Sequence, residues 1–148
     1  MKIFILISTV LMASGCATIV LKPADFSWPV ETVLKVNAKG FISEERHTFD
    51  INTKPIFYEE FSDSNSYAGR EIRIIRNKDG YYYFTGEGFK NVYMLQCVEG
   101  GMKLKEKLSV SDSLTLKMPV FNQKLNGIEL IDGSTKYLIY GSEIVRAK

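Results

Sequence analysis

From Val30 onward, hydrophobic and polar residues alternate in short runs that turn residues separate. In the clearest run, Met102, Leu104, Leu108 and Val110 alternate with Lys103, Lys105, Lys107 and Ser109. A period of two is typical of a β-strand with one buried face. On this pattern we predict strands at 30–37, 41–51, 55–61, 70–77, 80–85, 89–98, 102–110, 114–121, 127–131, 135–140 and 143–146.

The segments between these runs carry the chemistry of tight turns. Asn77-Lys78-Asp79-Gly80, Asn126-Gly127 and Asp132-Gly133 end or join predicted strands. Asn-Gly and Asp-Gly pairs adopt the backbone angles that β-hairpins need. Short strands joined by such turns indicate an all-β fold, namely a single antiparallel β-sandwich or small β-barrel domain spanning 30–148. The pattern does not distinguish a sandwich from a barrel.

Four lysines form the candidate binding surface of this domain. The strands 102–110 and 114–121 are expected to share one apolar face, which places Lys103, Lys105, Lys107 and Lys117 on the outer face. Side chains on one face of a strand repeat about every 7 Å, so the row suits phosphates of lipid headgroups on an anionic surface. A solvated sheet face whose lysines prevent edge pairing has the same pattern.

Three strands carry large apolar residues on both faces, namely Tyr81–Phe84, Val92–Leu95 and Tyr137–Tyr140. Such strands are covered on both sides in a folded protein. The covering group is either another layer of the core or a bound apolar ligand. In the second case the tyrosines would line the cavity of a carrier or sensor.

The first residues have the order of an export signal. Met1-Lys2 precedes an apolar run, Ile3–Met12, and the small residues Ala13-Ser14-Gly15 lead to Cys16. The run is about half of the roughly 20 residues that a membrane-spanning helix needs, and it suits a signal peptide. The segment resembles the signal of bacterial lipoproteins, with Ala13 where leucine is usual. The resemblance implies that residues 1–15 are removed and that Cys16 receives a diacylglycerol and an acylated amino terminus.

An ordinary signal peptide with Cys16 as a free thiol is the alternative. Residues 16–29 are predicted to form the lipidated cysteine and a short tether, in which Pro23 and Pro29 discourage regular structure. Phe26 and Trp28 would contact either the domain or lipid headgroups. In bacteria that use the familiar lipoprotein sorting rule, Ala17 rather than Asp directly after the cysteine implies passage to the outer membrane. The domain would then lie at its periplasmic face.

Composition and candidate catalytic residues narrow the classes of function. The chain has 19 basic and 17 acidic side chains, which gives no electrostatic case for nucleic acid. His47 is the only histidine, so no zinc site or Cys–His pair is expected around it. Cys97, among apolar residues, is predicted to be a buried hydrophobe, and no disulfide framework is expected. We expect neither a metal nor a cofactor.

These observations predict a non-enzymatic lipoprotein of the bacterial cell envelope that acts as an interaction or structural module. The membrane, through the anchor on Cys16, and an envelope protein or lipid headgroup are its expected partners. A carrier or sensor of an apolar or lipid ligand is the alternative. An inhibitor of another enzyme would suit the same location, although no loop of the sequence marks one.

Overall fold

A computed structural model describes residues 30–44, 49–63, 65–111 and 114–147. Within them the chain forms eleven strands and a short helix. The strands are Thr32–Lys35 (β1), Phe41–Glu44 (β2), Phe49–Asn52 (β3), Glu71–Arg76 (β4), Tyr81–Thr85 (β5), Asn91–Val98 (β6), Gly101–Ser109 (β7), Pro119–Lys124 (β8), Gly127–Asp132 (β9), Thr135–Tyr140 (β10) and Glu143–Arg146 (β11). The helix, Lys54–Phe61 (α1), follows β3.

The strands form two main sheets and a hairpin. A five-stranded sheet has the order β1-β4-β5-β6-β7, a four-stranded sheet has the order β11-β10-β9-β8, and β2 pairs with β3. All of these neighbours are antiparallel. The predicted all-β antiparallel class is therefore confirmed, and two separate sheets make it a sandwich.

The five-stranded sheet is buried on both faces. In β4, the adjacent Ile74 and Ile75 point to opposite faces, and both are buried. One face packs against the four-stranded sheet in a cluster of Ile75, Tyr83, Val92, Met94, Leu108, Leu116, Phe121, Ile128, Leu130, Tyr137 and Ile139. The other face packs against the β2–β3 hairpin and α1 in a cluster of Val36, Ile42, Phe57, Ile72, Ile74, Tyr82, Phe84, Phe89, Tyr93 and Leu95.

The two clusters explain why alternation fails in β5 and β6. Residues 81–84 and 92–95 contribute side chains to both clusters, as predicted for strands covered on both sides. In β10 the cover is one-sided, because Tyr137 and Ile139 are buried whereas Tyr140 is exposed. The prediction is wrong for the outer face of β10.

Residues 55–61, predicted to be a strand, form α1. Pro55 lies in the first turn, where the N–H that proline lacks would have no acceptor within the helix. Phe57 and Phe61 lie one turn apart, so both rings contact Phe89, with centroids 5.4 and 5.7 Å away. Ser62 ends the helix in a left-handed conformation, with its N–H donated to the carbonyl of Tyr58.

The predicted strand 114–121 begins only at Pro119, and it does not share a face with β7. Residues 114–118 cross from the five-stranded to the four-stranded sheet. On the way, the N–H of Leu116 donates to the carbonyl of Phe89, and the N–H of Gly88 donates to that of Leu116. These bonds tie the crossing segment to the β5–β6 turn, so β8 joins the second sheet beside β9.

The connections define two ends of the sandwich. The Val30 end comprises Val30 and the turns at 77–80, 99–100, 125–126 and 141–142. The hydroxyl of Tyr83 joins the two sheets there, because it donates to the carbonyl of Gly141 at 2.9 Å. The Gly86 end, opposite, comprises the turn at 86–90, the crossing segment and the turn at 133–134.

Candidate functional site

The predicted lysine row is interrupted by a β-bulge in β7. Lys107 pairs with Tyr93 and Lys103 pairs with Gln96, and the register shifts between them so that Lys105 has no partner in β6. One extra residue reverses the alternation beyond it. Lys107 therefore lies on the face of the sheet that α1 covers, whereas Lys103 lies on the opposite face. The expectation that Lys103, Lys105 and Lys107 share one outer face is wrong.

The individual lysines of the row lie in different surroundings. Lys107 forms an ion pair with Glu59 of α1, and the hydrogen bond to that carboxylate raises the pKa of Lys107. Lys117 is exposed in the crossing segment at the Gly86 end, where its N–H donates to Asp132 Oδ1 at 2.9 Å. Lys103 lies toward the Val30 end. The four lysines thus do not form one continuous surface, and their binding to an anionic surface stays a prediction.

Cys97 is exposed, contrary to its predicted burial. It lies at the end of β6 that extends beyond Tyr81, the first residue of β5, so its apolar neighbours in the sequence do not cover it. Burial is the largest cause that raises the pKa of Tyr82, and the neighbouring Cys97 raises it further. The guanidinium of Arg76 opposes that shift. The arginine lies over the tyrosine ring, 5.6 Å from its centroid.

The paired acids of α1 fasten the helix to the five-stranded sheet. Glu60 accepts three hydrogen bonds, from the Tyr93 hydroxyl at 2.7 Å, the Asn91 side-chain amide at 2.8 Å and the N–H of Lys90 at 2.6 Å. Burial and the bond to Glu60 both raise the pKa of Tyr93. The adjacent Glu59 points to Lys107 instead. The two carboxylates therefore do not face a common substrate position, and each has a partner on the five-stranded sheet.

The Val30 end exposes several large apolar side chains. Leu125, at the tip of the β8–β9 hairpin, is 92% exposed, and Val30 is 67% exposed. Val98 and Tyr140, which flank two of the other turns, are 47% and 45% exposed. At the Gly86 end, Leu114 and Met118 are similarly exposed. Exposed apolar residues that lie together indicate a contact surface, and each end of the sandwich carries such residues.

A small polar cleft lies between the turns of the Val30 end. It has a volume of about 30 Å³ and is lined in part by Asn77, Tyr83, Gln123 and Gly141. The Tyr83 hydroxyl accepts a hydrogen bond of 3.3 Å from the Asn77 amide. Burial raises the pKa of Tyr83 to about 12. A cleft of this size holds a water molecule and is far smaller than a typical ligand pocket of about 300 Å³ or more.

Several predicted features fall outside the described residues. They are Cys16, the signal segment 1–15, the tether up to Pro29, and His47. Within the described ranges, no group of three or more histidine, cysteine or acidic side chains is placed to hold a metal ion. Across the same ranges, no helix has the length and hydropathy that crossing a bilayer requires.

The structure defines an antiparallel β-sandwich with a third layer made of a helix and a hairpin. No protein family, curated protein or solved structure matches this chain.

Proposed function

We propose that this chain is a non-enzymatic lipoprotein of the bacterial cell envelope, anchored through acyl groups on Cys16. Its folded domain acts as an interaction module at the periplasmic face of the outer membrane. The observation that carries the proposal is the order of residues at the start of the chain, where an apolar run and three small residues stand before Cys16.

The packing of the domain supports an interaction module over a carrier. The tyrosines of β5 and β6 that would line a ligand cavity belong instead to the two core clusters or pack against them. Glu59 and Glu60 are engaged with Lys107 and Tyr93. Exposed apolar residues lie at both ends of the sandwich, Leu125 and Val30 at one and Leu114 and Met118 at the other, where a flat partner has access to them.

Metabolic labelling with an alkyne-bearing fatty acid tests the anchor. The chain offers a matched control because it contains two cysteines, Cys16 and Cys97. We expect the wild type and Cys97→Ser to carry the label and to sediment with membranes. Cys16→Ser should lose the label. Equal labelling of Cys16→Ser, or an unlabelled wild type, would refute the lipoprotein.

Native mass spectrometry of the acylated protein, released gently from its own membrane, tests the interaction module. A bound protein, or the acylated chain without a small molecule, agrees with the proposal. A reproducible small-molecule adduct in addition to the anchor would instead identify a carrier. In that case the ligand could enter only if the aromatic clusters of β5 and β6 open.

A further inference from the structure

We propose that the Val30 end of the sandwich rests on the bilayer that holds Cys16, with Leu125 and Val98 inserted at the level of the headgroups. The inference deepens the proposed function and rests on it, because it assumes that Cys16 carries the anchor. It identifies a lipid surface as the partner of the Val30 end of the domain.

The position of Val30 brings this end close to the membrane. Thirteen residues, 17–29, separate Cys16 from Val30. Thirteen residues reach about 45 Å at most. The nine residues of β7 alone extend about 30 Å along the sandwich. Placing the Gly86 end on the membrane would use about two-thirds of the tether's greatest reach merely to pass the domain.

The side chains at the Val30 end suit the boundary between headgroups and acyl chains. Leu125 occupies a hairpin tip and makes almost no contact with its own domain. Val98 precedes the neighbouring turn at 99–100 and is half-exposed. Insertion of both removes apolar surface from water that folding leaves exposed. Tyr140, on the same end, combines an apolar ring with a hydroxyl, as residues at membrane interfaces do.

Charge does not decide the orientation. Lys78 and Lys103 lie toward the Val30 end, but Asp79 stands beside Lys78 in its turn and Glu99 lies in the turn that precedes the strand of Lys103. Lys124, beside Leu125, forms an ion pair of 3.1 Å with Glu129. The contact is therefore apolar rather than electrostatic, and it should depend little on the fraction of anionic lipid.

Depth-dependent quenching measures the contact directly. The full-length, acylated protein in a Cys97→Ser background receives a single new cysteine, Leu125→Cys or Met118→Cys, which carries an environment-sensitive fluorophore. Met118, at the Gly86 end, is 69% exposed and provides the matched control. Each protein is reconstituted in vesicles of phosphatidylcholine with brominated acyl chains, with and without phosphatidylglycerol. Intact mass confirms acylation of each sample.

We expect quenching at position 125 to exceed that at 118 by about twofold or more, because interfacial insertion reaches about 5–10 Å into the bilayer. Phosphatidylglycerol should not change the ratio. Equal quenching at both positions, or stronger quenching at 118, in acylated protein overturns the orientation alone. A blue-shifted but unquenched fluorophore at 125 also overturns it, because protein rather than lipid then covers this position. Absence of the acyl groups refutes the proposed function, and the orientation with it.

Discussion

The carboxylate of Glu31 joins the two sheets at the edge where Phe121 lies. Its Oε1 accepts the N–H of Phe121 at 2.8 Å, and its Oε2 accepts a hydrogen bond of 2.8 Å from Arg73 of β4. Phe121 belongs to β8, an edge strand, so its N–H has no partner strand to bind on that side. The Glu31 side chain thus accepts an N–H of an open sheet edge, and its two hydrogen bonds hold the chain next to Val30 against both sheets.

Replacement of Glu31 should loosen this edge. Glu31→Ala leaves the Phe121 N–H and the Arg73 guanidinium without their shared acceptor, which we expect to cost about 1–3 kcal/mol of unfolding free energy. Glu31→Gln keeps one acceptor oxygen and should cost less. Urea unfolding followed by circular dichroism measures both variants. If Glu31→Ala unfolds at the wild-type urea concentration, the sheets are held together without this carboxylate.

The helix α1 should contribute as much to the free energy of unfolding as an ordinary core element does. Phe57 is fully buried, and its ring packs edge-on against that of Phe89. Phe57→Ala should lower the unfolding free energy by about 3–5 kcal/mol. The neighbouring Tyr58 is 61% exposed, so Tyr58→Ala is a control from the same helix and should cost far less. Similar losses from both would contradict the docking of α1 through its phenylalanine face.

The class of fold was predictable because turn residues and alternation report local geometry. The helix α1 was not, since its eight residues are too few to show a clear helical period. Its signals were Pro55 and the spacing of Phe57 and Phe61, and both also occur in strands. The crossing segment was assigned to a strand for a similar reason. Its partner is the β5–β6 turn, which is distant in sequence.

The candidate site was less predictable because it depends on register and on where strands end. A regular ladder would have placed Lys103 and Lys107 on one face, and the single extra residue Lys105 separates them. Cys97 has apolar neighbours, yet β6 extends past β5 and leaves it uncovered. The three hydrogen bonds of Glu60 join residues about thirty positions apart, and no local sequence pattern predicts them.

Buried tyrosines should make the protein sensitive to alkali. Burial raises the pKa of Tyr83 from its ordinary value of 10.0 to about 12, and the nearby Asp79 adds to the shift. The folded state therefore keeps a proton that the unfolded chain loses above about pH 10. Stability is unaffected below that pH and falls as pH rises toward 12, by up to about 1.4 kcal/mol per pH unit for each such group.

Tyr83→Phe isolates this contribution. The variant loses the bond to Gly141, so it should be less stable than the wild type near neutral pH. Between about pH 10 and about pH 11.5, however, its stability should decline less steeply. Tyr58→Phe, at an exposed position, should keep the wild-type slope. Parallel slopes for Tyr83→Phe and the wild type would show that Tyr83 ionises alike in both states.

The lysines of β7 should differ in their effect on membrane binding. Replacing Lys103, Lys105 and Lys107 together with glutamate is predicted to weaken binding to anionic liposomes, provided that these lysines meet lipid phosphates. The structure ranks them, because Lys107 is already paired with Glu59 whereas Lys103 lies nearer the Val30 end. On that hypothesis, Lys103→Glu should weaken binding more than Lys107→Glu does.

Liposome flotation at low salt measures this ranking, with Lys117→Glu as the control at the opposite end. Lys107→Glu also places two carboxylates side by side, and Glu59→Lys in the same chain should restore its urea midpoint. If the triple variant floats like the wild type at low salt, the lysines are solvated side chains that protect the edge of β7. That result agrees with an apolar membrane contact through Leu125, for which lysine charge is immaterial.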